Sequence, residues 1–301
     1  MTDTIRPVSA PGEAGESAVA VADSDDGFVW LQPTSSWRPV EGREVWAYRE
    51  LLYYLVVRNL KIRYKQTVLG ASWAVLQPVL LMVIFTIFLG RLGGISSKVP
   101  SGLPYPVFTF VALVPWTLFA QGVTSSADSL VSNSNMLSKV YFPRILLPLA
   151  AAVTFVVDFL IALVVLAVIM AAYGVTPRGP ELLLVPVLGL FALLAALSIG
   201  IWLAALNVRY RDVRYVVPFL VQLLLFLSPV AYPTSQVPEH LRVVYGLNPM
   251  AGVIEGFRWS LLGLPWSPGP MIGVSIAMTA VLLVTGLIAF RRAERTSADV
   301  I

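Results

Sequence analysis

The sequence predicts an all-α polytopic membrane protein, on three observations. Hydrophobic residues make up 57% of the 301-residue chain and charged residues only 13%, against about 25% charged in an ordinary soluble domain. Six apolar stretches are long enough to cross a bilayer, which takes about 20 residues as a helix. The alternating ten-residue pattern of an outer-membrane barrel is missing, which leaves the helix as the form that satisfies its own backbone in lipid.

Taken in order, residues 1–42 are rich in Ala, Ser, Gly and acids, with Asp23, Asp25 and Asp26 near the end. They read as a disordered acidic head without the basic start and apolar run of a signal peptide. An amphipathic helix follows over 43–68, and a six-span domain over 69–292. Spans are predicted near 72–90, 105–124, 145–172, 182–206, 216–232 and 271–290, with a tail at 293–301. The stretch 237–265 is too apolar for a free loop. Asn248-Pro249 divides it into two short helical pieces, which suits a re-entrant pair better than a span. With both termini in the cytoplasm, 16 of the 21 Lys and Arg fall on the inner side, as the positive-inside rule requires.

The segment "VVRNLKIRYKQTVLGASWAVLQP" crowds Arg58, Lys61, Arg63 and Lys65 against the mouth of the first span. On a helical wheel Tyr48, Leu51, Leu52, Leu55 and Ile62 share a stripe. Arg58, Lys61 and Lys65 flank it on one side, Arg49 and Arg63 on the other. The pattern predicts an interfacial helix, its stripe in the acyl boundary and its cations reaching anionic headgroups. Tyr53, Val57 and Leu60 form a second apolar face, predicted to pack on protein. A plain stop-transfer flank is the blander alternative.

The spans are nearly free of charge. Asp158, in "TFVVDFLIALVV", is the one acid deep inside a span. It reads either as a functional group, since ionising it there is expensive, or as a structural hydrogen bond to a neighbouring helix. A lone acid without partners makes a poor proton relay, and no set of groups converges for general acid–base chemistry. The chain has no cysteine and a single histidine, His240, which excludes thiolate and His-cluster metal sites. Without a GxxxxGK[ST] loop it has no P-loop for ATP.

Two loops carry further candidates. The run Ser132, Asn133, Ser134, Asn135, Met136, Leu137, Ser138, Lys139 is a polar helix or turn, either a solvated connector or a docking element. The loop with Arg209, Arg211, Asp212 and Arg214 is either a positive-inside anchor with a local Asp–Arg pair or a mouth attracting an anionic headgroup. Phe85, Phe88, Trp116, Phe119, Phe219, Phe226 and Tyr232 are candidate channel aromatics that could stack on sugars. Packing and interfacial belts are the commoner use of such rings.

The ordered motifs "RYKQTVLGASWAVLQP", "LVPWTLF", "SLVSNSNMLSKVYFPRILLPLA", "ALNVRYRDVRYVVPFLVQLLLFLSPVAYP" and "LNPMAGVIEGFRWSLLG" resemble the permease subunit of type-2 ABC exporters for polysaccharides and polyol phosphates, of O-antigen, teichoic acid or galactan type. The resemblance spans about residues 45–290. It implies a homodimer with the channel at the dimer interface and two copies of a separate ATP-binding subunit, which would hold the ATP and Mg while this chain carries no cofactor. By position it makes Ser132–Lys139 the coupling helix. The implied substrate is a polyprenyl-diphosphate-linked glycan in the inner membrane, with no nucleic-acid partner. A drug exporter of the same superfamily is the nearest rival. The acidic head has no counterpart in that pattern.

Overall fold

The computed structural model describes residues 42–65, 72–100, 102–137, 139, 142–177, 179–210, 212–264 and 269–298. Residues 1–41 of the acidic head, Ser138 and Arg211 lie outside them. Among the described residues every regular element is helical.

A short helix α1 (Gly42–Ala47) leads into α2 (Arg49–Lys65). The first apolar helix, α3 (Ser72–Ile84), contains Pro78 and widens into a π-helical segment over Phe85–Leu92. Pro104 and Pro106 open α4 (Tyr105–Ser132); proline suits a helix start because its missing N–H would have no intrahelical partner there. After Asn133 comes the single turn α5 (Ser134–Leu137).

Helices α6 (Leu146–Thr154) and α7 (Val156–Ala172) form one apolar rod with a break at Phe155. There the Thr154 hydroxyl donates to Ala150 O at 2.7 Å and the Phe155 N–H turns to Ala152 O at 3.1 Å, a local competition with the helical ladder that bends such rods. A 3₁₀ turn, Pro180–Leu184, precedes α8 (Val185–Arg209), and α9 spans Val213–Leu227. Asn248 divides α10 (Glu239–Tyr245) from α11 (Pro249–Leu262). Its side chain caps α11 by accepting from the Met250 N–H at 3.0 Å, with Pro249 in the first turn, so the predicted division falls where capping chemistry demands it. The last helix, α12, spans Pro270–Ala298.

Among the described residues five segments are long and apolar enough to cross a membrane: Ser72–Leu92, Tyr105–Ser132, Leu146–Ala172, Pro180–Arg209 and Pro270–Glu294. The predicted fifth span, 216–232, is shorter than expected as a helix. Helix α9 has 15 residues, or about 22 Å at 1.5 Å per residue, against a hydrocarbon core of about 30 Å. It stops because Ser228 is extended (ψ 150°) and Pro229 follows; a residue before proline is pushed out of the α region.

Helix α4 is the centre of the bundle, buried along most of its length. It lies against α8 through small residues. A Cβ on Gly200 would stand 2.6 Å from Ser126 Cβ, and one on Gly122 2.9 Å from Ala196 Cβ. Close backbone approach through small side chains is how membrane helices gain contact where lipid offers no hydrophobic drive. A polar bond crosses the same seam, from the Asn207 amide to Ala127 O at 2.9 Å, while Ser126 donates to Pro148 O of α6 at 2.9 Å. Phe257 of α11 meets Phe159 of α7 edge to face, ring centres 6.1 Å apart.

Candidate functional site

Helix α2 docks on the bundle through Leu55, fully buried against Leu130, Leu146, Leu147 and Ala150, with Leu51 and Leu52 beside it. Leu51, Leu52 and Leu55 of the stripe predicted to face lipid thus meet protein, while its ends, Tyr48 and Ile62, are exposed. On the opposite face Tyr53 is 72% exposed, whereas Val57 and Leu60 are half-buried. The arginines add to the contact. Arg58 and Arg63 sit on the Leu55 side of the wheel, and both find partners in the bundle.

Arg58 donates to Asn133 Oδ1 at 2.6 Å and to Met136 Sδ at 3.4 Å. Asn133 closes the end of α4, its amide donating to Ser129 O at 2.8 Å. The segment Ser132–Lys139 therefore begins as the last residue of α4, continues as α5, and is tied to α2 by one guanidinium. Met136 and Leu137 also pack beside the α2–α6 core. Ser134 and Asn135 belong to α5, and Lys139 is exposed.

Five residues further along α2, Arg63 pairs with Asp158 at 2.7 Å, and the Tyr64 hydroxyl donates to the same carboxylate. Arg63 also lies over the Phe155 ring, 4.5 Å from its centre. Asp158 is thus held by two residues of α2, just past the break that starts α7. Burial, and then the bond to the Asp158 carboxylate, push the Tyr64 phenol up to about 12. Of the five cations predicted to reach headgroups, Arg58 and Arg63 are engaged with the bundle, whereas Arg49, Lys61 and Lys65 are exposed. A cavity of about 470 Å³ opens between α2, α4 and α6, lined among others by Arg58, Arg63, Ser125, Asp128, Ser129 and Ala151.

In the Arg209–Arg214 loop the partner of Arg214 is Asp128 of α4, at 3.0 Å. For Arg214 the bond is one between helices rather than the local pair with Asp212; Arg211, the other neighbour of Asp212, lies outside the described residues. Arg209 stacks on Tyr210 at 5.5 Å.

The candidate aromatics separate into two groups. Phe85, Trp116 and Phe119 lie in the core of the protomer. Phe88, Phe219 and Phe226 are exposed. The Tyr232 hydroxyl is half-buried and shares a 2.8 Å hydrogen bond with Tyr245.

Sequence reasoning passed over the most deeply buried charge among the described residues. Arg258, one of the five Lys and Arg left outside by the cation count, has a side chain that is 1% exposed and pairs with Glu255 at 2.9 Å. Its guanidinium lies 3.6 Å from the centre of the Phe108 ring. It donates to Val230 O at 2.9 Å and Tyr232 O at 3.4 Å, the carbonyls released where α9 unwinds. Burial acts to lower its pKa while the Glu255 carboxylate opposes that. The signal was present as Glu-x-x-Arg, one turn apart on an otherwise apolar helix. Among the described residues no group of three or more His, Cys, Asp or Glu comes together to hold a metal.

Residues 50–262 match the family described as ABC-2 type transporter. The chain belongs to that family. Among the relatives of this ABC-2 protein is the "O-antigen export system permease protein RfbA" of Myxococcus xanthus, 34% identical over 218 residues, 72% of this chain and 82% of the relative. The protein of the same name from Klebsiella pneumoniae is 29% identical over 209 residues, 69% and 79% of the two chains. The "Polysialic acid transport protein KpsM" of Escherichia coli is 25% identical over 243 residues, 80% and 92%. With its five membrane-length helices, the ABC-2 chain is a multi-pass protein of the inner membrane. The matched region runs from α2 to the end of α11, so the α2–α5 contact, the Asp158 pair and the Arg258 cluster all fall within it.

Proposed function

We propose that this chain is the permease subunit of an ATP-driven exporter that carries a polyprenyl-diphosphate-linked polysaccharide (galactan, O-antigen or teichoic-acid-like) from the cytoplasm to the outer side of the inner membrane. The observation that carries the reading is the alignment with O-antigen export permeases over most of both chains. The chain works as a homodimer with two copies of a cytoplasmic ATP-binding subunit, which holds the ATP and Mg. Six spans with both termini inside fit the cation balance; the fifth is α9 with the extended Ser228–Tyr232 stretch completing the crossing, and α10 with α11 forms a re-entrant pair. The α5 turn then faces the ATP-binding subunit, and Arg58 passes its displacement to α2.

The test is depletion in the host followed by separation of lipid-linked glycans by leaflet. Full-length glycan should accumulate on the cytoplasmic side. An unchanged glycan pool refutes the reading and moves a drug or antibiotic exporter to the front. Removal of Ser134–Leu137 should leave the protein in the membrane while substrate no longer stimulates ATP hydrolysis.

A further inference from the structure

The charges around the cavity between α2, α4 and α6 do not balance. Arg58 and Arg63 line it together with Asp128. Asp128 already holds Arg214, and Arg63 already holds Asp158. Among the described residues three guanidiniums thus meet two carboxylates, and the cation left over is Arg58. Among the described residues its partners are all neutral: Asn133, Asn59 and the thioether of Met136. Its Nε is buried and meets no acceptor. A partly buried guanidinium without an anion is costly, and a thioether is a weak acceptor.

We propose that this cavity is a binding site for the phosphate of a lipid headgroup. A phosphodiester carries one negative charge, which is what the cluster lacks. Its planar pair of oxygens suits the guanidinium fork, and phosphate is a far stronger acceptor than the sulfur it displaces. The polar lining beyond the arginines, with Ser125, Ser129 and Ser132 on α4, suits a hydroxylated headgroup. Lys61 and Lys65, exposed on α2, add positive potential that draws anionic lipid to this end of the bundle. The phosphate can come from a bilayer phospholipid or from a polyprenyl diphosphate. The site stands whether or not the chain exports a glycan.

The experiment is native mass spectrometry of the full-length, detergent-purified protein titrated with phosphatidylglycerol, with a glycan-free polyprenyl diphosphate, and with diacylglycerol as the phosphate-free probe. One phosphate lipid should bind more tightly than diacylglycerol. Arg58→Gln should weaken it about tenfold, the scale of one lost charge-assisted contact. Ala151→Phe, which fills the cavity without changing charge, should weaken it comparably and serves if Arg58→Gln fails to fold. Lys98→Gln, outside the cavity lining, should bind as the wild type does. Binding of both phosphate lipids identifies the bilayer as the source; binding of the diphosphate alone identifies the carrier lipid. Equal retention of diacylglycerol, or wild-type lipid binding by both cavity variants, overturns the proposal. It also falls if Arg58→Gln keeps its lipid but loses the ATP-binding subunit, since the missing anion would then be a protein carboxylate.

Discussion

Replacement of Arg258 by Met tests how the short α9 is tolerated. The substitution keeps a long apolar side chain in the space but removes every donor. Glu255, on the same helix, is left without its guanidinium, and breaking a buried pair from one side costs about 3–5 kcal/mol. The carbonyls of Val230 and Tyr232 lose their donor as well, at about 1–3 kcal/mol for a buried acceptor left bare. These terms overlap, so a total loss of about 4–6 kcal/mol is expected. The assay is thermal unfolding of the detergent-purified protein, followed by the fraction that stays monodisperse after heating. Glu255→Leu combined with Arg258→Met should recover part of the loss, because it leaves no buried charge. The carbonyls remain bare in the double variant, so recovery should be incomplete. If Arg258→Met unfolds with the wild type, or if the double variant is no more stable than the single one, the guanidinium does not hold this corner together.

Three further outcomes are expected. Gly200→Val should destabilise by several kcal/mol, since even its Cβ would stand 2.6 Å from Ser126 Cβ in a seam where overpacking costs about 1–3 kcal/mol per site or more; a thermal midpoint equal to wild type would mean that α4 and α8 lie further apart. Asp158→Asn should cost only about 1–2 kcal/mol, as the amide oxygen still accepts from Arg63 or Tyr64, whereas Asp158→Leu should cost more. In wild type the Tyr64 phenol, raised by burial and by Asp158 to about 12, stabilises the fold fully below pH 10 and loses that contribution as pH rises from about 10 to about 12. In Asp158→Asn its alkaline titration, read as the difference from a Tyr64→Phe background, should move down; a titration unmoved by the substitution would separate the two groups.

What the sequence revealed, it revealed through composition and local chemistry. Long apolar runs located α3, α4, α6–α7, α8 and α12, and Asn248-Pro249 announced the division between α10 and α11 through a cap and a first-turn proline. Length was legible where hydropathy decides it and illegible at Ser228-Pro229, where a backbone restriction ends α9 inside an apolar run. The wheel found the apolar stripe of α2 but assigned it to lipid. Which face meets protein depends on Asn133 and Asp158, which lie 75 and 95 residues away from their arginines. The burial of Arg258 escaped for a similar reason. Positive-inside counting treats every loop cation as a solvated one, and the groups that hold this guanidinium in the core include Phe108 and the carbonyls of Val230 and Tyr232, all distant in sequence.

The unwound end of α9 has a mechanical consequence. The carbonyls of Val230 and Tyr232 just beyond it are gripped by Arg258 of α11, and Asn248, whose side-chain oxygen caps α11, donates through its Nδ2 to Ser228 Oγ at 2.8 Å. The bend that follows α9 is thus fastened to α11 from two sides, by Arg258 and by Asn248. A shift of α11 would carry the bend with it, while α9 itself rests on α4 and α8.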